Sequence, residues 1–163
     1  MIHRTIGEVF AFFAEAGNLD RLTPPQLRFR ILNPMPVVME KGVLLNYRLR
    51  LHGVPFCWQS EITVWEPPHR FVDEQRKGPY RRWTHEHLFR EKDRGTEVID
   101  RVEYEVPGGR LVHRLFVKRD VTSIFQYRRR KLTEIFHGSE RPSAWLEPQH
   151  PSLLQPGRSR PGS

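Results

Sequence analysis

The sequence predicts an α+β fold, in which a short helix pair precedes an antiparallel meander of six strands and one long C-terminal helix follows it. The first observation is a double change of period. Apolar residues recur at helical spacing over residues 7–16, at period two from Leu27 to Val106, and again near 100° per residue from Leu111 to Phe136. The second is that the period-two runs are joined by short, turn-forming connections, the mark of antiparallel neighbours with one wet face.

Residues 7–16 (GEVFAFFAEA) place Val9, Phe12, Phe13 and Ala16 on one helical face. Thr5 is the expected N-cap and Glu8, three residues on, completes a capping box. Gly17-Asn18 is expected to stop this helix, because both tolerate the left-handed conformation. One further turn over 19–22 then meets Thr23-Pro24-Pro25. Leu27, Phe29 and Ile31 read as the first strand. After the Pro-rich link 33–36, Val43, Leu45, Tyr47, Leu49 and Leu51 alternate with more polar neighbours. Gly53-Val54-Pro55 turns the chain into a strand whose inner face holds Phe56, Trp58, Ile62 and Val64.

The stretch from Phe71 to Val106 reads as three strands joined by turns at 76–81 and 91–95. Its inward faces carry Phe71, Asp73 and Gln75, then Trp83, His85, His87 and Phe89, then Val98, Asp100, Val102, Tyr104 and Val106. Two carboxylates and two imidazoles therefore turn toward the interior. With the turns closed as hairpins, Asp73 falls opposite or diagonal to His85, and Asp100 beside His85 or His87. That is within the roughly 4.5–5.5 Å of cross-strand neighbours.

Pro107-Gly108-Gly109 ends the sheet, and the long helix follows over 111–136. Val117, Val121, Ile124, Phe125, Leu132, Ile135 and Phe136 share one side, with Arg128 in the middle of that stripe. Leu111, Val112, Leu115 and Phe116 form a second apolar patch. Residues 1–137 thus make one domain, and the Pro/Gly/Ser-rich remainder, 138–163, is expected to be a disordered tail.

At 163 residues, 37% hydrophobic and 28% charged, the chain has the composition of a globular protein. No apolar run approaches the roughly 20 residues that span a bilayer, and no signal peptide is visible. The single cysteine, Cys57, rules out an intrachain disulfide and a thiolate zinc cluster, and a cytoplasmic location is expected. Of the net charge of +8, residues 111–136 supply +5, from seven Lys or Arg and two Asp or Glu. Such a face is first a solvated helix side; attraction to an anionic membrane or nucleic acid is the alternative.

The segments Val9-Phe-Ala-Phe-Phe13, Asn18-Leu19 and Leu22-Thr-Pro-Pro25 resemble the START-like (SRPBCC) superfamily, which includes polyketide cyclase/dehydrase-like and coenzyme Q-binding proteins. Phe71-Val-Asp-Glu-Gln75, Gly78-Pro-Tyr80, Trp83-Thr-His-Glu-His-Leu-Phe89 and Phe125-Gln-Tyr-Arg128 look like one bacterial ligand-binding branch of it. The resemblance covers about residues 6–137 and implies the helix-grip fold, a curved sheet wrapped around the long helix with an apolar cavity between them. That fold has a strand before the first helix. Only Met1 to Arg4 precede it here, so that strand is expected to be shortened or missing.

The expected function is binding or carriage of a hydrophobic small molecule, such as a lipid, quinone or polyketide-like compound, in that cavity. Tyr47, Trp58, Phe71, Asp73, Gln75, Trp83, His85, His87, Asp100 and Arg128 are the candidate ligand-binding residues. Arg128 is expected to pair with either Asp. The alternative is a cyclase/dehydrase-like enzyme using His85 or His87 with Asp73 or Asp100 for acid–base chemistry. The third reading is a basic membrane-surface or nucleic-acid module. It lacks stacking partners and a groove-fitting motif, so no nucleic acid is expected, and transient contact with an anionic membrane suits the Leu111/Phe116 patch better.

His85-Glu-His87 sets two imidazoles roughly 6.6 Å apart along a strand face, a span a metal can bridge. With Glu91 it imitates part of a cupin signature, but Gly95 is misplaced for it and no second His-bearing motif follows. Neither a metal nor a cofactor is expected. Cys57 alternates away from Trp58 with no activating base beside it.

Overall fold

In the computed structural model, residues 1–108 and 117–137 are described. Helix α1 (Ile6–Ala14) starts as its sequence requires: Thr5 Oγ1 accepts from the Glu8 backbone N–H, and the Glu8 carboxylate accepts from the Thr5 N–H. Its buried residues are Ile6, Val9, Phe10 and Phe13. Its end differs from expectation. Glu15 is the C-cap in an extended conformation, and Gly17 (φ −60°) opens helix α2 (Asn18–Arg21) instead of providing a left-handed stop.

The expected strand at 27–31 is also cut back. Pro24-Pro25 fixes the backbone for a 3₁₀ turn over Pro25–Leu27, and Arg28 then takes φ 44°. Strand β1 is left with Arg30–Ile31. The remaining strands are β2 (Leu44–Leu51), β3 (Val54–Glu66), β4 (Arg70–Lys77), β5 (Arg82–Lys92) and β6 (Gly95–Glu105). They form one antiparallel sheet in the order β1-β2-β3-β4-β5-β6, and helix α3 (Lys118–His137) follows. This is the helix-grip architecture. Where the resemblance placed a first strand, Ile2 makes a single bridge to Thr96 through two backbone hydrogen bonds of 2.8 and 2.7 Å.

A register shift between Ile62 and Val64 corrects the expected inner face of β3. The extra residue turns Val64 away and brings Trp65 inward, where its ring meets Phe10 at 5.2 Å and Phe71 at 5.6 Å. A cluster of Phe10, Phe13, Phe71 and Phe89, with Ile62, Val9 and Leu132, fills the end of the molecule near α1. Arginine–carboxylate pairs cover the opposite sheet face, among them Arg70–Glu86 and Arg76–Glu61, both at 2.7 Å. The Leu111/Phe116 patch, the first turns expected of the long helix, and the tail over 138–163 lie outside the described residues. No helix among the described residues is long and apolar enough to cross a membrane.

Candidate functional site

The polar cluster forms because three neighbouring strands present it in register. Asp73 of β4 pairs with His85 of β5, and His87 of β5 pairs with Asp100 of β6. Each carboxylate reaches both rings. Asp100 Oδ1 lies 3.0 Å from His85 Nε2 and 2.9 Å from His87 Nδ1. Asp73 Oδ2 lies 3.2 Å from His87 Nε2 and 3.5 Å from His85 Nδ1. The rings are 3.8 Å apart, His87 stacks on Phe71 at 4.1 Å, and both imidazoles are buried.

Arg128 closes the cluster from α3. Its Nε is 3.5 Å from Asp100 Oδ2, and its Nη2 is 3.4 Å from His87 Nδ1. The guanidinium also lies over the Phe13 ring. Although Nε is within ion-pair range of Asp100, it is buried and makes no hydrogen bond.

Ser60 joins the cluster although the sequence pattern does not single it out. It is buried on β3 and donates to Asp73 Oδ1 at 3.3 Å. It also accepts from Trp58 Nε1 at 3.1 Å and lies 3.1 Å from the Tyr47 hydroxyl. The signal for it was its place between Trp58 and Ile62 at period two, an inward hydroxyl that had to find partners.

Burial pushes the His85 imidazole down to about 4, and the neighbouring His87 acts the same way against the opposing pull of both carboxylates. Burial would raise both aspartates, but it is outweighed. The His87 hydrogen bond and the charges of His85, His87 and Arg128 lower Asp73; Arg128 and the two imidazoles hold Asp100 well below its usual range. Tyr47 is raised well above 10, by burial first and by the Asp73 charge second.

These residues form one wall of a cavity of about 170 Å³ between sheet and α3. Of the expected ligand-binding residues, Tyr47, Trp58, Phe71, Asp73, Trp83, His85, His87 and Arg128 line it. Asp100 stands behind the imidazole pair. Gln75 is committed to the β4–β5 turn, donating to the Tyr80 carbonyl at 2.7 Å and accepting from the Tyr80 N–H at 3.3 Å. That turn brings in Tyr80, which lines the cavity beside Trp58 and Trp83, as Phe13 and Phe125 do elsewhere. Glu91, of the partial cupin pattern, is exposed at the far end of β5, and Cys57 is exposed. Asp73, His85 and His87 each offer one ligand atom, all within 4.8 Å of one another.

The curved sheet, the long helix and the cavity between them define a protein of the helix-grip class. Residues 21–136 match the family described as Domain of unknown function (DUF8410), and the chain belongs to that family. No curated protein matches the chain. Among solved structures it is similar to Protein Ms6760 from Mycobacterium smegmatis, at 15% identity over 84% of this chain and 87% of that one, with a TM-score of 0.61. Protein CV1439 from Chromobacterium violaceum is similar at 10% identity over 83% and 91%, with a TM-score of 0.65. Ginseng major latex-like protein 151 from Panax ginseng is similar at 10% identity over 83% and 91%, with a TM-score of 0.59. At these identities the likeness is one of fold.

Proposed function

We propose that this chain is a START-like protein that binds a hydrophobic small molecule with one polar end, lodged between the sheet and α3. The carrying observation is a largely apolar cavity with one titratable cluster on the wall made by β4, β5 and α3. Tyr47, Trp58, Trp83, Ile124 and Phe125 supply apolar and aromatic surface, whereas Asp73, His85, His87 and Arg128 stand together. The volume of about 170 Å³ is on the scale of engineered cavities of roughly 150 Å³ that take up benzene. A ring or a short acyl segment fits. Arg128 lines the cavity and supplies a buried cation toward which an oxygen on the ligand would be drawn.

Binding is favoured over acid–base catalysis by the same cluster. An imidazole depressed to about 4 is a poor proton acceptor at neutral pH, and both aspartates are engaged by partners. The test is native mass spectrometry of the purified protein, followed by titration with fatty acids, quinones and aromatic polyketides while tryptophan fluorescence is read. A co-purifying apolar compound, or a saturable fluorescence change that Trp58→Phe diminishes, supports carriage. A flat titration across all three ligand classes, with no co-purifying compound, refutes it.

A further inference from the structure

We propose that Asp73, His85 and His87 form a binding site for a divalent first-row transition metal ion, with Asp100 as the carboxylate that orients both imidazoles. The inference concerns the polar wall alone and does not depend on the identity or presence of an organic ligand.

Four nitrogen–oxygen contacts of 2.9–3.5 Å join the two rings to the two carboxylates. Two neutral imidazoles carry two N–H protons between them. Hydrogen bonds from His85 Nε2 to Asp100 and from His87 Nε2 to Asp73 use both, and Arg128 Nη2 donates to His87 Nδ1, so the His85 Nδ1 lone pair is left against Asp73 Oδ2, in a buried place where unpartnered polar atoms are costly. A cation at one end resolves this. His85 Nε2–H keeps its hydrogen bond to Asp100 Oδ1, the His87 proton moves to Nδ1 and turns to Asp100 Oδ1 as Arg128 Nη2 gives up that nitrogen, and the lone pairs of His85 Nδ1 and His87 Nε2 face the cation together with Asp73 Oδ2.

The distances fit that assignment. Ligand atoms about 2.0–2.1 Å from a tetrahedral metal stand about 3.3 Å from one another. Asp73 Oδ2 is 3.2 Å from His87 Nε2 and 3.5 Å from His85 Nδ1. The supporting groups are also those a metal site needs. Ligating imidazoles usually donate their other N–H to a carboxylate, and ligating carboxylates are themselves hydrogen-bonded. Asp100 does the first for His85 and stands 2.9 Å from His87 Nδ1, and Ser60 does the second at Asp73 Oδ1. Arg128 does not compete for the position. It approaches the Asp100 side of the cluster, with Nη2 beside His87 Nδ1, and leaves His87 Nε2 to Asp73.

Two imidazoles and one carboxylate suit zinc, iron, cobalt or nickel, and they are too few oxygens for calcium or magnesium. All three ligands line the cavity, so a further coordination position faces it and is open to water or to an oxygen of a bound molecule. The expectation of no metal rested on a lone His-x-His pattern. The third ligand and the orienting carboxylate come from strands β4 and β6, which that pattern does not include.

The test is titration of the chelator-treated protein with Co²⁺, read by visible absorption, with Zn²⁺ as competitor and isothermal calorimetry as the binding measure. The expected result is one saturable site per chain, lost in Asp73→Asn and weakened about 10- to 100-fold in Asp100→Asn. Should either variant fail to fold, NMR of the unaltered protein decides: Zn²⁺ should shift the ring resonances of His85 and His87 at one equivalent, ahead of the other histidines. Absence of saturable binding overturns the proposal, and so does binding of equal strength in Asp73→Asn. Shifts confined to other histidines, such as the adjacent His3 and His137, overturn it too.

Discussion

Asp100 Oδ1 lies 3.0 Å from His85 Nε2 and 2.9 Å from His87 Nδ1, so one carboxylate oxygen on β6 holds both imidazoles of β5. Its second oxygen faces Arg128 Nε at 3.5 Å. Asp100 thus links the sheet to the covering helix, although it stands behind the cavity wall. Replacing Arg128 by Met removes the cation and leaves that part-buried carboxylate without it. Breaking a buried pair from one side typically costs about 3–5 kcal/mol. Urea denaturation of Arg128→Met should show a loss of that order, and an unchanged midpoint would mean that the pair is not closed in solution.

Acidification should destabilise the metal-free protein in two stages. His85 titrates at about 4 when folded and near 6.5 when unfolded, so the unfolded chain binds the extra proton first. Stability is therefore complete above about 6.5 and declines as pH falls toward about 4, by at most about 3 kcal/mol. Asp73 and Asp100 are lowered from 3.8, so their contribution is present above that value and is lost below it. Melts from pH 7.5 down to about 2 check the order; stability rising on acidification would contradict it.

Ser60→Ala leaves three groups short of a partner at once: the Trp58 Nε1–H, the Tyr47 hydroxyl and Asp73 Oδ1. Each unsatisfied buried group costs about 1–3 kcal/mol, less whatever water recovers. The variant should lose about 2 kcal/mol in chemical denaturation, with a changed Trp58 emission spectrum.

At Gly95 an added Cβ would run into the backbone carbonyl of Ile2, which is bonded to Thr96 N at 2.7 Å. Backbone cannot yield as a flexible side chain does. Gly95→Ala should displace the bridge, expose the Thr96 amide to hydrogen exchange and cost about 1–3 kcal/mol. Normal protection of Thr96 in the variant would contradict this.

Thr5→Ala removes the oxygen that accepts from the Glu8 N–H, and with it one half of the capping box. The expected loss is about 1 kcal/mol. A smaller loss in Glu8→Gln, measured in the same denaturation series, would separate the cap from the carboxylate's charge.

Much of this was legible in the residue pattern. Period-two alternation assigned Asp73, His85, His87 and Asp100 to the inner face, and the short turns made β4, β5 and β6 neighbours. Helical spacing put Arg128 among apolar residues facing the sheet. The errors have local causes. The inserted residue near Thr63 reversed Val64 and Trp65, because a bulge leaves no mark in alternation until the partner strand is known. The 27–31 strand was shortened because Pro24-Pro25 begins a 3₁₀ turn. Gln75 has the right parity for the cavity, yet its amide reaches the Tyr80 backbone first.

What the sequence determined by itself is therefore which face each polar side chain occupies, and that the charges turned inward would need one another. Face is a consequence of backbone geometry over two residues, and it survives whatever the rest of the chain does. Only the tertiary structure decided the pairing. Each Asp reaches one ring directly across the strands and the other on the diagonal, Ser60 secures Asp73, and Arg128 arrives on the Asp100 side. Those relations depend on cross-strand register and on how α3 docks, which are set by contacts between residues far apart in the chain. For this protein that second level brings Asp73 to the His-x-His pair, with one nitrogen or oxygen from each of the three side chains within 4.8 Å of the others.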